Sequence, residues 1–117
     1  MKRIVILTCE KAGRVCTGAG CFDAFYNRTK QFERYEKEDA QIRAFMKCSG
    51  CGCFPGKDDG LDEKIERILS MHPDAVHLGI CCCHDGRDKN ICPEIEEICN
   101  CFRRTGIPII LGTHSVF

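Results

Sequence analysis

The sequence predicts a small α/β domain built on a mainly parallel sheet. Three observations lead there. Short apolar, β-branched runs recur along the chain, each too short for a helix of its own. Between them lie longer stretches with apolar residues at helical spacing. The length, 117 residues, and the composition, 44% hydrophobic and 29% charged, fit one globular core with no second domain, so residues 1–117 are read as a single unit.

The elements follow in order. "RIVILTC", Arg3–Cys9, is apolar on both faces, as a central parallel strand requires. A loop rich in Gly and Cys leads to a helix carrying Phe22, Phe25, Thr29 and Phe32 at helical spacing. "QIRAFMKC", Gln41–Cys48, alternates, with Ile42, Ala44, Met46 and Cys48 on one face of a half-exposed edge strand. Leu61, Ile65, Ile68 and Leu69 mark a second helix, and "DAVHLGIC", Asp74–Cys81, a third, buried strand. Pro93 suits the first turn of a third helix, which presents Ile95, Ile98, Cys99 and Phe102 and stops at Gly106. "IPIILGTH", Ile107–His114, is the last strand. Four strands alternating with three helices imply helices on the sheet's faces and right-handed crossovers. With the two most buried strands central, the order is 2-1-3-4, a shortened flavodoxin-like topology.

Charge and hydropathy exclude several functions. Formal net charge is zero, so the clustered basic excess of a nucleic-acid footprint is missing. No apolar run approaches the roughly 18 residues of a membrane span. The basic start "MKRIVILTCEK" has too short an apolar run for a secretory signal, and the protein is read as cytoplasmic. In a reducing compartment, twelve cysteines point to metal or catalysis rather than disulfides. The run Cys81-Cys82-Cys83 agrees, since adjacent residues are poorly placed for disulfide geometry.

The thiols fall at informative places. Cys9, Cys48 and Cys81 end the first three strands and His114 ends the fourth. In a parallel sheet those ends share one edge, where open α/β folds bind ligands. Cys16, Cys21, Cys51, Cys53, Cys82, Cys83 and Cys92 sit in the strand-to-helix connections on that edge, with His84 among them. Cys48-x-x-Cys51 is a ligand spacing in which two thiolates on a tight turn reach one tetrahedral ion, and equally a redox pair. Gly50 and Gly52 let that turn bend.

This arrangement resembles the CGGC-domain proteins, a largely prokaryotic family, from Ile4 to His114. The matching pieces are Cys9, "CTGAGC" at Cys16–Cys21, "CSGC" at Cys48–Cys51, "VHLGIC" at Val76–Cys81, "CP" at Cys92–Pro93 and "GTH" at Gly112–His114. Ser49 stands where the family's name has a glycine, and Cys53, Cys82 and Cys83 are additions that would suit a second metal or a cluster. The family's cysteines and histidines have suggested zinc binding, and it has no assigned reaction. The resemblance therefore implies a metal partner and leaves the enzyme question open.

The expected ligands are Cys48 and Cys51 first, then Cys9, Cys81, Cys92 and His114, with Cys16 and Cys21 next; four fill one tetrahedral site and eight fill two. Zinc suits thiolate with imidazole. The alternatives are an iron–sulfur centre or a thiol/disulfide redox site on the same residues, and a carrier module that hands its ion to a partner. More remote is a cysteine-dependent phosphatase reading, resting on Cys81-x5-Arg87. Asp85 within that loop would repel a phosphate, and Cys9 and Arg14 are one residue too close. Other residues have structural readings. Cys99 packs in the core and Cys101 lies exposed beside it. His72 ends a helix, His77 is a hydrogen-bonded core histidine, and "TGAG", Thr17–Gly20, is a loop-to-helix turn. Neither a membrane nor a nucleic acid is an expected partner, and no protein partner is indicated.

Overall fold

The computed structural model describes residues 1–83 and 90–114. Strands β1 (Lys2–Thr8), β2 (Ala40–Lys47), β3 (Ala75–Leu78) and β4 (Ile109–Leu111) form one all-parallel sheet in the order β2-β1-β3-β4. Helices α1 (Ala19–Asn27), α2 (Asp59–Ser70) and α3 (Pro93–Arg103) connect them. The expected class, strand order and helix count hold.

The sheet buries both faces. Ile4 to Leu7 are 0% exposed because alternate residues of β1 enter two different cores. Val5 and Leu7, with Val76 and Leu78, pack under α2 and α3, against Leu61, Ile95, Ile98 and Phe102. Ile4 and Ile6 pack on the other face under α1, against Phe25 and Phe32. Helices on both faces explain the unbroken apolar run of β1. Helix α2 begins where the Asp58 carboxylate accepts the Leu61 N–H at 2.8 Å. Helix α3 begins at Pro93, which has no N–H to leave unpaired.

Four expectations need correction. First, the helix expected to reach Phe32 stops at Asn27. Arg28 takes a left-handed conformation (φ 54°), Thr29 is extended, and Phe32 lies on a 3-10 turn, Lys30–Tyr35. The cause is the Arg28 guanidinium, which donates to the carbonyls of Phe25 (2.6 Å), Tyr35 (3.1 Å) and Ala40 (3.1 Å) and caps the turn that a glycine would usually make. Truncating Arg28 to alanine keeps the strained backbone and removes all three bonds. It should cost about 2 kcal/mol, read as a lowered thermal midpoint.

Second, Ile42 does not share a face with Ala44, Met46 and Cys48. The register against β1 slips between Ile4 and Val5, so Arg43 is an extra, exposed residue. Ile42 therefore packs with the α1 side, while Ala44, Met46 and Cys48 pack with the α2 side.

Third, β3 ends at Leu78, and Cys81 lies on a 3-10 turn, Ile80–Cys82, three residues beyond it. The ladder runs out at Gly79, whose N–H bonds Leu7 O at 3.1 Å, before the Cys82 N–H turns back to Gly79 O. Fourth, β4 is only three residues long. Pro108 has no N–H for the ladder, and Gly112 (φ 103°) bends the chain before His114.

Candidate metal-binding edge

Parallel strands place the ends of β1, β2, β3 and β4 along one edge, so Cys9, Cys48 and the turn bearing Cys81 are neighbours there. The segment after β1 organises them through backbone amides. The Cys9 N–H donates to the Cys81 sulfur at 3.4 Å, and the Glu10 N–H to the Cys48 sulfur at 3.3 Å. Further along, the Gly18 N–H donates to the Cys16 sulfur at 3.4 Å.

Cys81 carries the largest consequence. A hydrogen bond from the Cys82 thiol, joined by the Cys9 amide, holds its pKa down at about 6 against the opposing effect of burial. The surroundings of Cys81 thus favour the thiolate over the thiol. Cys82 is its opposite, kept firmly protonated by that same bond and by its own burial. The Cys82 thiol has one proton, and Leu7 O at 3.3 Å competes with Cys81 for it. Gly79 makes room for this arrangement, because a Cβ there would stand 3.2 Å from the Cys81 sulfur.

A cavity of about 180 Å³ opens beside these groups. Cys9, Cys16 and Cys81 line it, together with Thr8, Phe45 and Lys47. The "CSGC" turn follows β2 next to it. Cys48 is 5% exposed, Cys51 is exposed, and Gly50 (φ 107°) and Gly52 (φ 88°) supply the left-handed backbone of the turn. Ser49 is not among the positive-φ residues, so the serine strains nothing in the family's glycine position.

The remaining candidates do not line this cavity. Cys21 is in the first turn of α1, not in the loop before it, and its buried sulfur meets the Thr113 hydroxyl at 3.1 Å, with burial pushing its pKa up. Cys92 caps α3 and donates to the Glu94 carboxylate at 3.4 Å; partial burial raises its pKa too. His114 is exposed and packs its ring over Gly20, where a Cβ would come within 3.2 Å of it. Cys82 and Cys83, expected as accessible edge thiols, are buried because the 3-10 turn folds them under the sheet edge. Cys101, expected exposed, is half-buried against the α2–α3 core. His84, Asp85 and Arg87 lie outside the described residues. Among the described residues, no three His, Cys, Asp or Glu side chains converge closely enough to hold an ion as they stand.

His77 is the core histidine expected. The Gly112 carbonyl can only accept, so Nδ1 carries the proton (2.9 Å) and Nε2 accepts from the Tyr35 hydroxyl at 2.7 Å. The Thr17 hydroxyl accepts the Ala19 N–H at 3.3 Å, so "TGAG" is the loop-to-helix turn it was read as. Sequence reasoning missed the amide donors, which belong to the backbone and leave no trace in residue type. It also missed Lys47, which strand alternation assigns to solvent and which lines the cavity.

A four-stranded parallel α/β domain whose carboxyl edge is crowded with amide-supported thiols defines the class. The chain belongs to the CGGC domain family, whose model matches residues 3–114, nearly the whole length. It has no significant match among curated proteins or solved structures. No helix among the described residues is long and apolar enough to cross a membrane.

Proposed function

We propose that the chain binds a thiophilic metal ion at the carboxyl edge of its sheet, with zinc the best fit. The observation that carries this reading is the set of backbone amides aimed at sulfur. Amides from the segment after β1 meet Cys16, Cys48 and Cys81, and metal–thiolate sites are tuned by such outer hydrogen bonds. Family membership and twelve cysteines support it.

The donor set fits a soft-leaning ion chemically. Cys9, Cys16 and Cys81 face one cavity, and Cys48 with Cys51 forms a pair beside it. Convergence on an ion then requires side-chain rotation, and Cys16 and Cys51 are exposed. Cys21 and Cys92 are weaker ligands, since burial raises both and each sulfur is engaged with a neighbour. His114 is an exposed imidazole packed against Gly20 in the first turn of α1.

Native mass spectrometry of protein made in metal-replete cells tests this. The expected mass exceeds the bare chain by one or two ions, which thiol-modifying reagents release. A bare-chain mass with every exposed thiol titrating at once contradicts it. The same amide-supported thiols suit an iron–sulfur centre. A brown colour in anaerobically purified protein identifies that alternative, whereas a zinc protein is colourless.

A further inference from the structure

Strand β2 closes one side of the sheet with an open edge. It is eight residues long, and among the described residues it pairs with β1 and no other strand. Successive residues of a strand turn their peptide groups to opposite sides. Asp39 O accepts the Lys2 N–H at 2.7 Å, and the Cys48 N–H donates to Thr8 O at 3.0 Å. Residues in step with these two face β1. The extra residue at Arg43 shifts the step by one. Ala40 and Ile42 before it, and Phe45 and Lys47 after it, therefore turn their peptide groups outward. Burial agrees, because Ala40, Ile42 and Phe45 all belong to the α1-side core.

Bulges and lysines normally discourage pairing at an edge. Here the bulge spaces the outward residues by two, three and two positions, from 40 to 42, 42 to 45 and 45 to 47. That spacing reads the same in both directions. A regular strand cannot match it, but a second copy running antiparallel does.

The charges suit the same partner. Glu36, Glu38 and Asp39 outnumber Lys37 ahead of the strand, while Arg43 and Lys47 occupy its second half. Among the described residues no carboxylate pairs with Arg43 or Lys47; the ion pairs involve Lys2, Arg67 and Arg103. Antiparallel copies lay each acidic end beside the other's basic end. Aromatic side chains flank the edge as well. Tyr26, 75% exposed on α1, lines a hollow with Ala40, Gln41 and Ile42. Phe22, one turn earlier, stacks on Phe45 with ring centroids 5.6 Å apart. Exposed tyrosines are enriched at protein interfaces.

We propose that β2 is the interface of a twofold homodimer, in which two copies pair antiparallel along this edge into one continuous sheet. Ile42 lies opposite Phe45 of the partner subunit, and Ala40 opposite Lys47 of the partner subunit. The reciprocal pairs form too, as a twofold contact requires. Glu38 then stands diagonal to Lys47 of the partner subunit, within reach of long side chains. The inference is independent of the metal reading.

Sedimentation equilibrium of the full chain, kept reduced to prevent intermolecular disulfides, tests this. A monomer–dimer equilibrium with a micromolar constant is expected. Lys47→Glu should weaken it about tenfold, because each charge contact occurs twice. Adding Glu38→Lys to that variant should restore the affinity, which a mere loss of local structure would not allow. Amide exchange by NMR locates the contact. The Ile42, Phe45 and Lys47 amides should slow as concentration rises. The Met46 and Cys48 amides, which face β1, should not change.

A chain that is monomeric at millimolar concentration overturns the proposal, and so does one that pairs only with a foreign β-strand peptide. A dimer that leaves the Ile42, Phe45 and Lys47 amides unchanged, or that Lys47→Glu leaves equally tight, overturns it too.

Discussion

Replacing Cys81 by serine is expected to weaken metal binding by more than about 100-fold, beyond what loss of an outer-shell partner costs. Three features concentrate the effect there. The Cys82 thiol and the Cys9 amide, at 3.4 Å, hold the sulfur's pKa below the usual thiol range, so its charged form is favoured. It also lines the cavity, with Cys9 and Cys16, from the turn that follows β3. A serine hydroxyl is nearly the same size and still accepts the Cys9 amide, so the fold should survive. Its oxygen stays protonated and is a poor donor to a soft-leaning ion.

Cys99→Ala is the matched control. Cys99 is 0% exposed on α3, and burial pushes its thiol up to about 12, so it is a core group and not a ligand. Its loss should leave metal content unchanged and cost about 1 kcal/mol of stability, at the low end for deleting a small buried group. Metal content by elemental analysis and the thermal midpoint therefore separate the two variants. Metal lost from Cys99→Ala but kept by Cys81→Ser would reverse the assignment of edge and core.

Acid should destabilise the protein through His77. The side chain is fully buried, and burial, with a smaller contribution from Arg34, lowers its pKa from 6.5 to about 4 against the opposing Gly112 carbonyl. The folded protein therefore keeps the imidazole neutral while the unfolded chain takes up a proton below about pH 6.5. The unfolded state binds more protons through that window, so stability is complete above it and falls as pH drops toward 4. The loss is about 3 kcal/mol, from a shift of roughly two and a half pH units at 1.36 kcal/mol each.

Urea unfolding of metal-free protein at pH 7 and pH 4 measures it, with His77→Gln as reference. The wild type should lose about 3 kcal/mol more than the variant over that interval. Equal losses would show that the Tyr35–His77–Gly112 bonds do not hold the imidazole neutral.

Much of this architecture is legible in residue type, and the exceptions share a cause. The all-apolar "IVIL" of β1 signals burial on both faces, and the spacing of Ile95, Ile98, Cys99 and Phe102 identifies the inner side of α3. Both patterns come from burial, which composition reports directly. Asn27 ends α1 with no glycine or proline after it, because Arg28 reaches three carbonyls distant in sequence or buried in the turn. The bulge at Arg43 is equally invisible: alternation continues through it while the strand changes faces.

The edge shows the same division. Parallel strand ends bring Cys9 and Cys48 together by topology alone, and the 3-10 turn after β3 adds Cys81. Which thiols are thiolates does not follow from topology. Cys81 and Cys82 are adjacent and chemically identical in sequence, yet a 3-10 turn aims one at an amide and a cavity and the other at Leu7 O in the core. Cys21 likewise belongs to a loop by its spacing from Cys16, yet helix α1 has already begun and carries its sulfur to Thr113.

X-ray absorption at the edge of the bound metal tests the central claim most directly, because it reports the donor atoms themselves. The account predicts a first shell dominated by sulfur at about 2.3 Å, the zinc–thiolate distance, and a smaller sulfur contribution in Cys81→Ser. A shell of oxygen and nitrogen alone, unchanged by that substitution, would contradict it.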